Sequence, residues 1–453
     1  MMQSVDPATE EVIAEYPAHD AGEVARRLER SERAFRQWRG TPLTDRARLL
    51  RAAGQALRAG QVRYAELMTR EMGKPIAEAE AEIDKCAGAC DFFADHAARF
   101  LAIEQVSSDA SYSYVRFDPL GPVLAIMPWN FPFWQFFRFA APALMAGNTA
   151  VLKQAPNVPG CALAIANVFK EADFPPGVVE CLLIPNEAAE AVVRHPIIRA
   201  VTLTGSERAG SAVASQAGQA LKKTVMELGG SDAFIVLADA DIDATATAAV
   251  TARCINSGQS CIAAKRFIVE SSIAAAFEEA FAAKMGALKV GPGMDRANQI
   301  GPLARPDLRD GLDRQVQATI RAGAAVLVGG RALPRRGFFY APTVLTGVRP
   351  GMPAFDQETF GPVAAVIRAT DADEAVDLAN QSPYGLGASI WTRDADRAQA
   401  LAARIDAGCV FINGVVKSDP RLPFGGIKHS GWGRELSEAG IREFVNVKSV
   451  WVK

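Results

Sequence analysis

Along residues 20–105 apolar side chains recur at intervals of three and four, with Leu49, Leu50, Ala53 and Leu57 in one run, among stretches rich in Arg and Glu. That period predicts helices, each with one buried stripe. Past residue 105 the period changes. Short, mainly apolar runs at Val123–Met127, Ala150–Lys153, Val179–Ile184 and Ala200–Thr204 alternate with helical segments at 160–172 and 208–220. Strands apolar on both faces and separated by helices predict a parallel sheet covered on both sides. Glu227-Leu-Gly-Gly230 interrupts as a turn, and a second alternation follows at 233–237, 267–270, 325–328, 363–367 and 409–412. The expected fold class is α/β with two doubly wound α/β domains, one from 1–109 and 122–227, the other from 228–418. Segments 110–121 and 435–453 read as strands with little core of their own, the kind that pair with another element or another chain.

A chain of 453 residues exceeds what one core usually supports, in keeping with that division. Lys and Arg number 49 against 51 Asp and Glu, with no long single-sign block, so no nucleic-acid partner is expected. The stretch 119–152 is apolar enough to suggest a membrane span. Pro122, Pro128, Pro132 and Pro142, with Asn130, Gln135 and Arg138, instead predict a buried strand, turn and helix, and no membrane partner. The first residues lack a cationic and apolar leader, so the expected location is the cytoplasm. Seven cysteines without a Cys-x-x-Cys pair, and four histidines at 19, 96, 195 and 429, predict reduced thiols and no bound metal.

Three residues are placed to do chemistry. Cys261, in Asn256-Ser-Gly-Gln-Ser-Cys261, follows a polar, glycine-bearing approach that could present a thiol to a cleft; the plainer reading is a small buried hydrophobe, which is retained for Cys86, Cys90, Cys161, Cys181 and Cys254. Glu227, beside two glycines at the end of an apolar strand, is expected to be partly desolvated and so raised toward the range of a general base; alone it could equally be a capping carboxylate. Asn130, in Pro128-Trp-Asn-Phe-Pro132, is held between prolines and aromatics as an oxyanion donor must be, or else satisfies turn backbone. Thr204-Gly-Ser-Glu-Arg-Ala-Gly210 follows a strand and opens a helix, so Gly205, Ser206 and Gly210 could present N–H groups to phosphate, although the usual Gly-x-Gly-x-x-Gly spacing is absent. Lys153, after a strand, could reach a ribose or phosphate.

Taken together and in order, these motifs resemble the aldehyde dehydrogenase superfamily over essentially the whole chain, and within it the short bacterial succinate-semialdehyde dehydrogenases. The resemblance implies that Cys261 is the nucleophile, Glu227 the general base and Asn130 the oxyanion donor. It further implies a dinucleotide-binding first domain and a catalytic second one, and a homodimer or homotetramer built through 110–121 and 435–453. Glu358-Thr-Phe-Gly-Pro362 resembles the segment whose Glu358 and Phe360 hold the nicotinamide end, and Trp129 and Leu228 would touch the same cofactor. Pro423–Gly431 resembles the family's C-terminal signature. Arg138, eight positions after Asn130, falls at a substrate-tunnel position, where its fork could hold a substrate carboxylate, with Ser418 as a second donor; a structural ion pair is the alternative. Many NAD-preferring members have a glutamate where this chain has Pro156, so NADP becomes admissible beside NAD, with Gln154 and Arg208 as possible contacts to a 2'-phosphate. The expected partner is a small-molecule aldehyde with a distal carboxylate. The rivals are a CoA-acylating enzyme, against which Glu227 counts, and a catalytically silent homologue.

Overall fold

The computed structural model describes residues 1–453. The helical region forms four helices, Ala21–Trp38, Leu43–Ala59, Gln61–Met72 and Ile76–Phe100. The third closes on Gly73, left-handed at φ 82°, with Pro75 just beyond it, the usual means of stopping one helix and starting another. Leu49, Leu50, Ala53 and Leu57 are all buried, as their spacing predicts. This helical layer packs on a six-stranded sheet in the order Gly431–Trp432, Lys223–Glu227, Ala200–Thr204, Pro122–Met127, Thr149–Gln154, Val179–Cys181. All neighbours in it are parallel except the first pair.

The apolar stretch at 119–152 is strand Pro122–Met127, helix Pro132–Met145 and strand Thr149–Gln154, and every residue of that helix is buried. No helix in the protein is long and apolar enough to cross a membrane.

A seven-stranded sheet runs Ala325–Val328, Thr343–Thr346, Val363–Ala369, Arg266–Glu270, Ala233–Val236, Gly387–Trp391, Cys409–Ile412. It too is parallel apart from its first pair. Two of its strands, Thr343–Thr346 and Gly387–Trp391, were not predicted, and Lys223–Glu227 of the first sheet was expected only as an apolar strand ending at Glu227, without bounds. Each is only four or five residues long, and a short apolar run shows no period of its own. The expected strand at 179–184 ends at Cys181, although Leu182 still donates to the Leu152 carbonyl at 2.8 Å. A third sheet joins Val445–Val452, Tyr112–Pro119 and Glu104–Gln105, all antiparallel.

Candidate active site

The segment leading to Cys261 is bent by three successive left-handed residues, Asn256 (φ 53°), Ser257 (φ 56°) and Gly258 (φ 77°). Side-chain-bearing residues rarely adopt that conformation, and two in a row persist only when their surroundings hold them. Here they do. The Asn256 N–H donates to Glu78 Oε2 at 2.6 Å, its Nδ2 donates to the Asn130 carbonyl at 2.7 Å, and Ser257 Oγ accepts the Gly301 N–H at 2.9 Å. Gly258 admits no side chain, because a Cβ would lie 2.3 Å from the Gly361 carbonyl. Arg253 donates to the Gly258 carbonyl at 2.7 Å.

The bend delivers Cys261, half-buried, to the wall of a cleft of about 390 Å³. Lys265 secures the chain there, donating from Nζ to the Ser260 and Cys261 carbonyls at 2.9 and 2.7 Å. Asn130 lines the same cleft, and its Nδ2 donates one hydrogen to the Gln259 carbonyl at 3.1 Å, which orients the amide and leaves its second hydrogen uncommitted. Of the seven cysteines only Cys261 lines this cleft.

Glu227 ends its strand fully enclosed, and its Oε1 has no hydrogen-bond partner. Burial raises its carboxyl well above the usual range, against the pull of Arg138. Burial likewise pushes the Cys261 thiol up to about 12, while Arg138 and Lys265 pull it down and Glu358 and Glu227 push it further up. Base and thiol therefore lie within each other's field.

Arg138 differs from expectation. The two-pronged clamp for a substrate carboxylate is not available, because Nε is ion-paired with Glu435 and Nη2 faces Thr204 Oγ1 at 3.4 Å and Glu227 Oε2 at 3.9 Å. Neither Nε nor Nη1 makes a hydrogen bond. Phe424 stacks beneath the guanidinium at 4.7 Å. Phe424 and Glu435 exchange backbone hydrogen bonds of 2.8 and 2.7 Å, so the C-terminal motif is a loop clasped at its base, and the clasp carries both residues to Arg138. Ser418 is buried and accepts from Lys85 Nζ at 2.7 Å and Trp134 Nε1 at 3.1 Å.

Most expected cofactor residues line the cleft: Trp129, Lys153, Pro156, Gly205, Ser206, Leu228, Glu358 and Phe360. Trp129 and Phe360 meet edge to face, 5.8 Å apart. Lys153 Nζ bonds Asn186, and burial lowers its ammonium to about 8. Three expectations fail. Gly210 does not line the cleft; a Cβ there would meet Leu228 Cδ2 at 2.5 Å, so its smallness serves helix packing. Gln154 is buried, its Nε2 spent on the Pro128 and Pro132 carbonyls at 2.7 and 3.3 Å. Arg208 is exposed and lies outside the cleft wall. Arg305, which the sequence reading passed over, does line it. The single carboxylate on that wall, Glu358, accepts from the Gly230 N–H at 3.1 Å and pairs with Lys265 at 3.4 Å. Two cations, a neutralised acid and two aromatic rings beside the thiol suit a dinucleotide bearing phosphates.

A second cavity, of about 470 Å³, opens between helices Ile76–Phe100, Pro132–Met145 and Ile242–Cys254. Phe131 and Ile255 belong to its wall, each next in sequence to a member of the Asn130–Asn256 pair. That pair therefore lies beside both cavities. No group of side chains suited to holding a metal ion is present.

The family model described as "Aldehyde dehydrogenase family" matches residues 1–450. A protein of Synechocystis sp. (strain ATCC 27184 / PCC 6803 / Kazusa), named a probable succinate-semialdehyde dehydrogenase [NADP(+)], is 51% identical over 99% of each chain. The succinate semialdehyde dehydrogenase [NAD(P)+] Sad of Escherichia coli (strain K12) is 49% identical, covering 99% of this chain and 97% of its own. The crystal structure of succinic semialdehyde dehydrogenase from Streptococcus pyogenes in complex with NADP+ superposes with a TM-score of 0.97 at 37% identity, covering all of both chains.

Proposed function

Because the chain belongs to the aldehyde dehydrogenase family, we propose that it oxidises succinate semialdehyde to succinate with NADP+ or NAD+ as acceptor. The observation that carries this reading is the convergence on one cleft of the only cleft-lining cysteine and the Asn130 amide, with the enclosed Glu227 within reach of the thiol's field. Relatives at about half identity that bear the same activity in their names support the choice of substrate.

The Cys261 thiol releases its proton to solvent, and sulfur bonds to the aldehyde carbon. The carbonyl π pair moves to oxygen, where the free Asn130 N–H and the Cys261 N–H donate to it. As the carbonyl re-forms, hydride leaves carbon and a thioester remains on Cys261; the bound nicotinamide supplies the acceptor. Glu227 then draws a proton from water, water adds to the thioester, and the thiol departs reprotonated with the acid released. Glu358 and Phe360 hold the cofactor's reactive end, and Lys153, Arg305, Gly205 and Ser206 meet its phosphates. Pro156, where a carboxylate would repel a 2'-phosphate, together with the cationic wall, favours NADP+. Arg138 offers its Nη1, and Ser418 its hydroxyl, to the distal carboxylate. A deacylating base within an enclosed pocket favours water over CoA as acyl acceptor.

The assembly belongs to the same reading. Strand Val445–Val452 pairs with Tyr112–Pro119 and, as the edge of its sheet, leaves Val447, Trp451 and Val452 exposed, which suits a homodimer or homotetramer. Seven unpaired thiols suit the reducing cytoplasm. The test is a substrate panel of succinate semialdehyde, glutarate semialdehyde and butanal, each with NAD+ and NADP+. Succinate semialdehyde with NADP+ should give the highest kcat/KM; preference for butanal would reject the substrate, and acyl-CoA formation on adding CoA would reject hydrolysis.

A further inference from the structure

On the wall of the 470 Å³ cavity stands one cation, Lys85, from helix Ile76–Phe100. Its ammonium lies 4.2 Å over the Trp134 ring and donates to Ser418 Oγ at 2.7 Å, but no carboxylate comes within ion-pair distance. The two acids beside it are otherwise engaged. Glu82 is ion-paired with Lys74 and accepts the N–H groups of Phe133 and Trp134 at 2.9 Å each, and Glu78 accepts the Asn256 N–H at 2.6 Å. A largely desolvated ammonium without a counter-charge is costly, and a methionine of similar length would fill the same space without that cost. Ser418 already accepts from both Lys85 and Trp134, so its own proton is free for a third group. An ammonium and a hydroxyl proton on adjoining atoms match the two oxygens of a carboxylate. The Arg138 charge is felt both at the Lys85 ammonium and at the Cys261 thiol, so one guanidinium lies near both anchor and nucleophile.

We infer that Lys85 joins Ser418 and the Arg138 Nη1 in binding the distal carboxylate of the substrate and sets the preference for ω-carboxylated aldehydes over neutral ones. The inference rests on the semialdehyde reading above. Burial, and after it the field of Arg138, lowers the free ammonium to about 8, so the anchor is charged at neutral pH and fades above pH 8. Other groups facing the cavity or the ammonium are Glu78, brought up to about 7, Glu82, Lys74, and the thiols of Cys86 and Cys254, both raised by burial, Cys254 to about 12. Neither thiol loses its proton near pH 8.

The test compares kcat/KM for succinate semialdehyde and butanal, with saturating NADP+, in the full-length enzyme and in Lys85→Met and Lys85→Arg. The semialdehyde-to-butanal ratio should fall about 10- to 100-fold in Lys85→Met, the range for losing a charge-assisted contact in a dry pocket, and should recover in part in Lys85→Arg. In the unaltered enzyme KM for the semialdehyde should climb as pH passes 8 while KM for butanal stays level, a readout that does not depend on any variant folding. A ratio untouched by Lys85→Met, or parallel KM profiles for the two aldehydes, overturns the anchor. If the unaltered enzyme prefers butanal, the substrate reading itself fails and the anchor with it.

Discussion

Cys261 and Glu227 are both held in their protonated forms by burial, so in the resting enzyme neither a thiolate nor a free carboxylate base predominates at low pH. Activity is expected to follow deprotonation of the Glu227 carboxyl. Because its ionisation is shifted upward, the base form appears only above the ordinary carboxylate range, and kcat for butanal, which needs no carboxylate anchor, should rise with pH above that range. An acid limb centred near the ordinary carboxylate value would contradict this. Replacing Cys261 with Ala should abolish aldehyde oxidation, whereas Glu227→Gln should still yield a burst of reduced cofactor, seen by stopped-flow absorbance, followed by turnover slowed at least 100-fold as the thioester waits for water. Full steady-state rates in either variant would remove that residue from its role. At this scale the sequence reading singled out Cys261, Glu227 and Asn130 because each lies in a short motif with its own chemical logic, and the fold brings Cys261 and Asn130 to one cleft. The partners of Arg138 were beyond its reach: Glu435 arrives through the clasp at Phe424, a contact between distant parts of the chain. Lys265, four residues after Cys261, went unremarked, since nothing local reveals that its ammonium turns inward to two carbonyls.

Among the elements, the left-handed bend at Asn256–Gly258 is the one on which the nucleophile depends most directly. Gly258→Ala would set a methyl group against the Gly361 carbonyl in a conformation that alanine disfavours, and something in the backbone must shift. The expected result is a loss of about 2 kcal/mol or more in unfolding free energy by denaturant titration, with kcat falling further than that loss explains, since Cys261 is displaced. A variant as stable and as active as the parent would show that the bend is not needed. The bend was legible only as a polar, glycine-containing approach; its handedness was not, because Asn and Ser reach left-handed angles only under the grip of Glu78, Asn130 and Gly301, which lie far away in sequence. The strands that were read correctly, such as Pro122–Met127 and Ala200–Thr204, are buried on both faces nearly throughout, and an uninterrupted apolar run is the signal such strands leave. Thr343–Thr346 leaves no such run, because only Val344 and Leu345 of its four residues are apolar.

For the whole molecule, the exposed apolar edge formed by Val445–Val452 should be the seam of the assembly. Truncation after Phe444 should lower the molar mass measured by light scattering and reduce the Tm; an unchanged mass would place the seam elsewhere. Within one subunit, the walls of the two cavities come from different parts of the fold. The 390 Å³ cleft is lined at the strand ends of the first sheet and by Glu358 and Phe360, whereas the 470 Å³ cavity is lined largely by the faces of three helices, and Asn130 with Asn256 lies beside both. This division bears on how the chain can diverge over generations. On the proposed function, replacements at Lys85, Trp134, Thr251 or Ile255 should act first on the choice of aldehyde, and replacements near Pro156 or Arg305 first on the choice of dinucleotide, because the two sets line different cavities. A lineage carrying this architecture can explore new substrates and new cofactors as separate inherited steps, each tested by selection while the other is kept.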